Sequence, residues 1–547
     1  MLQTRIDRLA PVDRQLLSAA AAIGKNFTGS LLEAALDVPA PTLREGLARL
    51  QAAEFLYETA AGADFGFTFR HTLTHEVAYA SLATAERRAL HARIGDALER
   101  DRRDRSGEDL VRMAHHAVQA ERWEPALGYL RAAGSRAFSS GAHREAVACF
   151  EQALVVLGHL PPAPERVGDA IDLRIDLRTS LLPPGEYERI FTYLREAEDL
   201  AAALGDQGRL GRICTYLTHY FFITGDQDRA LAHGRRALAI AEAVDDSRLR
   251  AEAQLRLGQV HHALGDYRQA VEILREPLRS LTGDLRFERF GLPLIFAVGC
   301  RYWLARSLTE LGQFEAGLEH AEEAVAIAAE AGHPFSQTVA CWTVGHLALR
   351  KGDARRALDV LEPGLELARK WTIQSWVPRL TAAVGSALAL TGRTAEAVPL
   401  LEQAVEQSVT MRSAHDYAGA VVALGEGYVL AGRRSDAAQA TERALALARA
   451  SRDRGIEAWV HWIRGESAVD DDPTAAGAAF RAGLARAEEL GMRPLVAHCR
   501  LALGALDLRA GRRAEAAAQL EQAIALYAEM DMAPGLGRAQ AELQRLG

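Results

Sequence analysis

Residues 385–404 read GSALALTGRTAEAVPLLEQA and carry the pattern that organises most of the chain. Gly385 follows an apolar residue, and a second glycine, Gly392, stands seven residues later. Ala397 and Leu401 then lie at i and i+4, with another alanine at i+7, which is the spacing of one helix face. The segment therefore predicts two helices joined by a short turn.

The turn glycine followed five residues later by alanine is an internal repeat. Its copies begin at Gly141, Gly225, Gly265, Gly352, Gly392, Gly432 and Gly511, with degenerate copies at Gly185 and Gly312. The upstream glycine recurs every 40 residues at Gly345, Gly385, Gly425 and Gly465. A glycine inside a helix costs about 1 kcal/mol relative to alanine, so we expect packing to require it, with small residues opposed where the two helices cross.

This pattern resembles the tetratricopeptide repeat, which places Leu-Gly in its first helix and alanines in its second. Leu257 and Gly258 with Tyr267, Ala270 and Leu274 fit it well. The period of about 40 residues, against 34 in the standard repeat, implies longer helices or loops. We expect about ten hairpins between residues 109 and 547, with register shifts near 471 and within 160–190. Such an array should contact only neighbouring repeats and flex as a spring.

The first 101 residues lack the repeat. They predict helices at 12–22, 28–36 and 41–53, then two strands, FLYET (55–59) and FGFTFR (65–70), flanking the turn AAGAD (60–64). Two further helices are expected at 71–82 and 85–100. Three helices followed by a β-hairpin is the order of a winged helix.

The amino-acid sequence of this region also resembles that of a known group of proteins. RIDRLAPVDRQLLSAAAAIGKNF (5–27), LREGLARLQAAEFLYE (43–58), FTFRHTLTHEVAYASL (67–82) and RRALHARIGDALE (87–99) resemble the segment after the nucleotide-binding domain of bacterial STAND-type ATPases. These include maltose-regulator-like activators and proteins with a nucleotide cyclase or serine/threonine kinase domain upstream. The resemblance implies the C-terminal part of such a protein, or a standalone relative without the motor.

The predicted fold class is therefore all-α. A winged-helix module with a small β-hairpin and two trailing helices occupies residues 1–101. A right-handed α-α superhelix of tetratricopeptide-like repeats occupies residues 102–547.

Composition narrows the possible functions. The chain carries 64 basic and 72 acidic residues, a net charge of −8, which disfavours a protein that neutralises phosphate backbones. Lys25, Lys351 and Lys370 are its only lysines, and no G-x-x-x-x-G-K-[ST] loop is present. We therefore expect no enzyme activity and no cofactor. Five widely spaced cysteines and the lack of a long apolar run favour a cytoplasmic protein.

Histidines are the candidates for metal binding. His71 and His75 lie at i and i+4 on a predicted helix, but no third ligand is evident. The simpler interpretation is that one packs between hairpin and helix while the other is solvated. The adjacent pairs His115-His116 and His261-His262 are expected to point to different faces, so the sequence predicts no metal site.

DNA binding by the winged helix is the alternative function. Its third helix carries Arg44 and Arg49 but also Glu45, and residues 1–100 contain eleven basic and twelve acidic side chains. The electrostatic contribution that drives DNA binding is therefore missing. An interdomain role for the module is favoured.

The superhelix groove is the predicted site. In the resembling repeats, first-helix positions three before and one after the glycine, with neighbours one turn away, face the groove. In this chain they are Arg212, Thr215, His219, Phe222, Glu252, Leu255, Gln259, His262, Tyr302, Arg306, Thr309, Trp342, His346, Arg379, Ser386, Glu426, Trp459, Trp462 and Glu466.

Aromatic and arginine anchors beside polar groups are typical of peptide- or ligand-binding grooves. The tryptophans could equally be core residues between repeats. The leading hypothesis is a regulatory scaffold that binds a protein, a peptide or a small-molecule inducer and controls an upstream ATPase or effector domain.

Overall fold

A computed structural model describes residues 2–36, 38–61, 64–100, 106–410 and 414–546. The chain divides into two compact units, an N-terminal unit of residues 1–204 and a C-terminal unit of residues 205–547. The predicted boundary after residue 101 falls inside the N-terminal unit. No helix in the described ranges is long and apolar enough to cross a bilayer.

The N-terminal unit begins with six helices and a small sheet. Their bounds are α1 (Leu2–Asp7), α2 (Pro11–Ile23), β1 (Asn26–Thr28), α3 (Gly29–Leu36), α4 (Ala40–Ala52), β2 (Leu56–Ala61), β3 (Asp64–Phe69), α5 (Thr72–Ala80) and α6 (Thr84–Arg100). The five predicted helices and both predicted strands are present within two residues or so of the expected bounds. Residues 62 and 63 of the predicted turn lie outside the described residues.

Strand β1 was not predicted. It pairs antiparallel with β3, which also pairs with β2, so the sheet order is β1-β3-β2. Three residues are too few to display alternation, and the strand exists because Phe27 stacks on Phe67 across the pair, with ring centroids 5.7 Å apart. From α2 to β3 the elements are a helix, a strand, two helices and two strands, which is the order found in a winged helix.

The rest of the N-terminal unit is helical. Its elements are α7 (Gly107–Gln119), α8 (Trp123–Ser139), α9 (His143–Leu157), α10 (Pro164–Leu181) and α11 (Tyr187–Leu204). Helix α7 begins at a capping box in which Ser106 Oγ accepts from the backbone of Asp109 and Asp109 accepts from the backbone of Ser106.

The C-terminal unit consists of paired helices. They are α12 (Gln207–Thr224), α13 (Gln227–Ala243), α14 (Ser247–Ala263), α15 (Tyr267–Leu278), α16 (Phe296–Glu310), α17 (Phe314–Glu330), α18 (Pro334–Lys351), α19 (Ala354–Lys370), α20 (Val377–Leu390), α21 (Thr394–Thr410), α22 (Ala414–Leu430), α23 (Arg434–Ala450), α24 (Arg454–Ala468), α25 (Pro473–Leu490), α26 (Arg493–Arg509), α27 (Arg513–Glu529) and α28 (Ala533–Gln544). A 3₁₀ helix (Gly283–Phe287) precedes α16. From α8/α9 to α26/α27, the described helices of the two units form ten hairpins.

Both glycines of the repeat have a physical reason. The turn glycine adopts positive φ, for example 83° at Gly392, which ends the first helix in a conformation that L side chains rarely adopt. The helical glycine receives a large side chain from the second helix. A Cβ on Gly385 would lie 2.8 Å from Leu401 Cγ, and one on Gly345 would lie 2.4 Å from Leu361 Cγ. The expectation of opposed small residues is wrong at these two hairpins, because the space is filled by a leucine. At Gly425 the facing residues of the second helix are Ala440 and Thr441, each 3.7 Å from a Cβ.

The hairpin at residue 471 shows the predicted register shift. In the regular hairpins the large residue stands 16 positions after the glycine, as Leu401 does after Gly385. In α24/α25 it is Phe480, 15 positions after Gly465. The turn has lost one residue together with its glycine, and Asp472 caps α25 instead by accepting from the backbone of Thr474 and Ala475.

First helices of successive hairpins form the inner layer of the C-terminal unit. Each even-numbered helix from α12 to α26 contacts the next even-numbered one, and α12 also contacts α22 while α16 contacts α26. The superhelix therefore meets itself after five hairpins.

Polar contacts join these successive turns. The side chains of Arg452 and Asp228 lie 2.5 Å apart, and Lys351 Nζ lies 2.7 Å from Asp531 Oδ2. The expectation of a spring with contacts only between neighbouring repeats is wrong, because the curvature brings distant repeats together.

Candidate functional site

A cavity of about 180 Å³ lies on the inner layer of the C-terminal unit, between α14 and α24. Helices α14, α16, α18, α20, α22 and α24 supply most of its walls. Nine of the predicted groove residues line it: His262, Tyr302, Arg306, Trp342, His346, Arg379, Ser386, Glu426 and Trp459. The groove register thus brings residues from six hairpins to one enclosed space.

One wall of the cavity is aromatic. Trp342 stacks on His346 with ring centroids 4.6 Å apart and meets Tyr302 edge-on at 5.6 Å. The guanidinium carbon of Arg306 lies 5.4 Å from the Trp342 ring centroid and 4.7 Å from that of Trp303. These are cation–π distances, so the positive charge is held by aromatic faces at the cavity wall.

One helical turn further along α16 and α18, the lining includes a contact between two turns of the superhelix. Arg350 lies over Trp459, 3.9 Å from the ring centroid, and its Nε is 3.9 Å from Glu310 Oε1. Glu310 accepts a hydrogen bond of 3.1 Å from Trp459 Nε1. Arginine, carboxylate and indole therefore form one cluster that spans α16, α18 and α24.

Acidic and basic groups alternate around the cavity. Arg379 is neutralised by Asp416 through two hydrogen bonds of 2.6 and 2.7 Å. Burial raises the pKa of Glu426 above its ordinary value, while the charges of Arg350 and Arg538 oppose that shift. Burial holds the pKa of His346 well below its ordinary value, assisted by the charges of Arg350 and Arg306, so its ring is neutral at pH 7.

Ten predicted residues lie elsewhere, among them Thr215, Glu252, Leu255 and Thr309. Phe222 is buried against Trp303, with centroids 5.6 Å apart, and Gln259 accepts a hydrogen bond of 3.0 Å from Arg256. Trp462 is half-buried beside Phe480 and Leu503. The lining residues begin at His262 on α14 and end at Trp459 on α24, so α12 contributes none of them. The others outside the cavity are Arg212, His219 and Glu466.

Several lining residues were missed by the sequence analysis. Arg350 lies four residues after His346, Glu310 four after Arg306, and each continues the inner face by one helical turn. That i+4 spacing could have identified both residues from the sequence. Tyr267 begins the second helix of its hairpin, α15, and Asp453 lies in the turn before α24, so neither belongs to the first-helix face used for the prediction. Asp416 was also missed.

The remaining sequence candidates lie in the N-terminal unit. His75 Nε2 is 3.0 Å from the Ala21 carbonyl oxygen, and His71 is exposed. In the third helix of the module, Arg49 is paired with Asp13 at 2.8 Å and Arg44 lies over Phe65. Both arginines expected to face DNA are thus engaged within the module.

The two adjacent histidine pairs behave differently. His115 and His116 were expected to face apart, yet both rings approach His91, with centroid distances of 5.7 and 5.1 Å. They converge because His91 projects from α6 between the two positions. In the C-terminal unit, His262 lines the cavity while His261 lies 3.5 Å from Asp266.

Comparisons with known proteins agree with the repeat fold. Residues 211–281, which span the first two hairpins of the C-terminal unit, match the tetratricopeptide repeat family. An uncharacterised protein of Rhizobium meliloti (strain 1021) is 30% identical over 161 residues, or 29% of this chain. The matched part spans only 16% of that protein's length.

Two solved structures are similar in fold. One is a signal transduction ATPase with numerous domains (STAND) and a tetratricopeptide repeat sensor from Pyrococcus horikoshii, at 12% identity and a TM-score of 0.41, covering 88% of this chain and 63% of that one. The other is the Rap conjugation gene regulator of the plasmid pLS20 in complex with the Phr* peptide, at 14% identity and a TM-score of 0.45, covering 68% and 97%.

Proposed function

We propose that the chain is a non-enzymatic regulatory scaffold whose C-terminal unit binds a peptide segment of a partner protein in the inner cavity. The observation that carries the proposal is the pair of arginines, Arg306 on α16 and Arg350 on α18, which each lie over an aromatic ring of the cavity lining. Aromatic and arginine side chains are the usual anchors of a binding hot spot.

The size of the cavity favours a peptide side chain over a whole small molecule. Pockets for drug-sized ligands measure about 300–1,000 Å³. The cavity here measures about 180 Å³, which suits one or two side chains of a segment whose backbone stays in the groove. A small-molecule inducer of a few heavy atoms is the competing ligand.

The charges favour a segment that presents both an apolar and a polar group. Arg379 is already neutralised by Asp416, whereas Glu426 contributes an acidic group at the cavity. A side chain that packs on Trp342 and donates a hydrogen bond to Glu426 would satisfy both.

Ligand binding would act on the contact between turns. The cavity is bounded by α16 and α18 on one turn and by α22 and α24 on the next. A ligand that contacts both would favour the closed arrangement over one in which α24 has moved away. In a STAND-type protein of the maltose-regulator or cyclase- and kinase-linked kind, this change would control an upstream nucleotide-binding or effector domain.

Selection from a random peptide-display library against the full chain tests the proposal. Enriched peptides are then measured by isothermal titration calorimetry with wild type, Trp342→Ala and Arg306→Gln. Trp371→Ala is the matched control because that indole is 56% exposed and does not line the cavity.

We expect both cavity variants to weaken peptide binding by at least about tenfold, which corresponds to about 1.4 kcal/mol, and the control to bind as wild type does. Unchanged affinity in Trp342→Ala and Arg306→Gln, or a library that yields no binder, would contradict the proposal. DNA binding is checked separately by a gel shift at low salt, where we expect no retardation at micromolar protein.

A further inference from the structure

Three histidine side chains meet in the N-terminal unit, away from the cavity. His91 on α6 is fully buried, His116 on α7 is 1% exposed, and His115 on α7 is exposed to solvent. One ring nitrogen from each lies within 4.8 Å of the other two. The Nδ1 atoms of His91 and His116 are 2.8 Å apart.

We propose that His91, His115 and His116 form a binding site for a divalent transition-metal ion of the zinc class. Three imidazoles with an open fourth position are a common zinc ligand set. His115 is at the surface, so solvent can supply the fourth ligand. A neutral imidazole trio without carboxylates favours Zn²⁺, Cu²⁺ or Ni²⁺ over Mg²⁺ or Ca²⁺.

The hydrogen bonds around His91 are those of a metal ligand. Its second nitrogen, Nε2, lies 2.9 Å from the hydroxyl of Tyr79, and that hydroxyl lies 3.4 Å from Gln119 Oε1. Metal-bound histidines almost always bond the far ring nitrogen to such a partner, which fixes the tautomer and aims the other nitrogen at the ion. In this arrangement the nitrogen aimed at the ion is Nδ1 of His91.

His116 directs its Nδ1 toward Nδ1 of His91, at 2.8 Å. Its Nε2 is buried and makes no hydrogen bond within the described residues, although a buried polar atom normally has a partner. Nδ1 is therefore the nitrogen that joins it to His91.

The distances between the ring nitrogens and the charges of nearby residues determine how tightly the site can bind a metal ion. Two nitrogens on a tetrahedral zinc stand about 3.3 Å apart, so the rings of His91 and His116 must separate by roughly half an ångström. Arg87 and Arg112 add positive potential that opposes the ion, and Asp109 and Glu108 offset the charge of Arg112. Affinity should accordingly be moderate rather than that of a closed structural site.

Zinc titration of the metal-free full chain, followed by calorimetry, tests the site. We expect wild type to bind one equivalent of Zn²⁺ with moderate affinity. His115→Ala removes an exposed ligand without disturbing the core and should weaken that equivalent by more than about 100-fold. Tyr79→Phe should weaken it by about 10- to 100-fold, the usual effect of losing an outer partner.

His71→Ala is the matched control, since His71 is an exposed histidine of the same unit that lies outside the trio. It should bind as wild type does. Co²⁺ replaces Zn²⁺ as a second readout, because its visible bands report nitrogen ligands and lose intensity if His115 is removed. Equal zinc affinity and stoichiometry in wild type and His115→Ala, or no bound equivalent of Zn²⁺ in wild type, would overturn the proposal.

Discussion

The indole Nε1 of Trp459 donates a 3.1 Å hydrogen bond to Glu310 Oε2, although 149 residues separate them in the chain. Trp459 lies on α24 and Glu310 ends α16, so the bond joins two turns of the superhelix. Both side chains are buried, at 5% and 8% exposed. Trp459 and Glu310 both line the cavity, so the contact between the two turns forms part of its wall.

Replacing Trp459 by Phe should lower the free energy of unfolding by about 1–3 kcal/mol, because Glu310 loses its donor while it stays buried. Urea unfolding followed by circular dichroism measures this change. A double-mutant cycle with Glu310→Gln isolates the pair, and we expect a coupling energy above about 0.5 kcal/mol. Additive effects of the two substitutions would mean that this bond does not stabilise the closed turn.

Overpacking a hairpin tests the role of the helical glycine. Gly385→Leu should cost about 1–3 kcal/mol of stability, since even a Cβ at this position would lie 2.8 Å from Leu401 Cγ. Gly128→Leu is the control, because Gly128 is an exposed helical glycine with no atom within 4 Å of a Cβ. The control should be neutral or stabilising. Thermal melts that coincide for Gly385→Leu and wild type would refute the packing role.

Two of the three predicted groove tryptophans, Trp342 and Trp462, should differ in their effects. Trp342→Ala removes an anchor of the cavity and should abolish peptide binding in the titration calorimetry proposed above. Trp462→Ala should instead reduce stability by about 1–3 kcal/mol and leave peptide affinity unchanged, because its ring packs beside Phe480 and Leu503 outside the cavity. Loss of binding in Trp462→Ala with an unchanged melting temperature would reverse this assignment.

Acid should destabilise the C-terminal unit through His498. Burial, together with the charges of Arg538 and Arg350, lowers the pKa of His498 to about 3, and its Nδ1 lies 2.7 Å from Tyr527 Oη. Below its ordinary pKa of 6.5 the unfolded chain binds a proton that the folded chain excludes. Stability is therefore lost as pH falls from 6.5 toward 3, with a slope approaching about 1.4 kcal/mol per pH unit.

His498→Gln removes one such group and should reduce that slope by about one proton, as measured by urea unfolding at several pH values between 4 and 7. His71→Ala serves as the comparison, because His71 is exposed. An identical pH dependence in wild type and His498→Gln would show that this histidine titrates normally.

The local structure could be predicted from the sequence because the residues that determine each hairpin lie within that hairpin. Gly385, Gly392 and Ala397 mark a close approach, a turn and a small helix face, and each depends only on neighbours within one hairpin. The missing turn glycine near residue 471 was enough to predict the shift later seen at Phe480. Strand β1 escaped notice because its pairing partner is some 40 residues away.

The groove register predicted which helix faces point inward, and nine of its residues line the cavity. It could not predict which of those faces would be enclosed. That depends on the rotation between successive hairpins, a small angle that accumulates until α12 meets α22 and α16 meets α26.

By itself, the sequence determined the helical hairpins, their number and the composition of the inner face, because periodicity and turn chemistry are local properties. Only the tertiary structure decided that Trp459 would meet Glu310, that the groove would close into a cavity, and that His91 would join His115 and His116. The physical reason is that these contacts arise from the summed curvature of many repeats, or from the crossing of two helices, and neither leaves a periodic trace in the sequence.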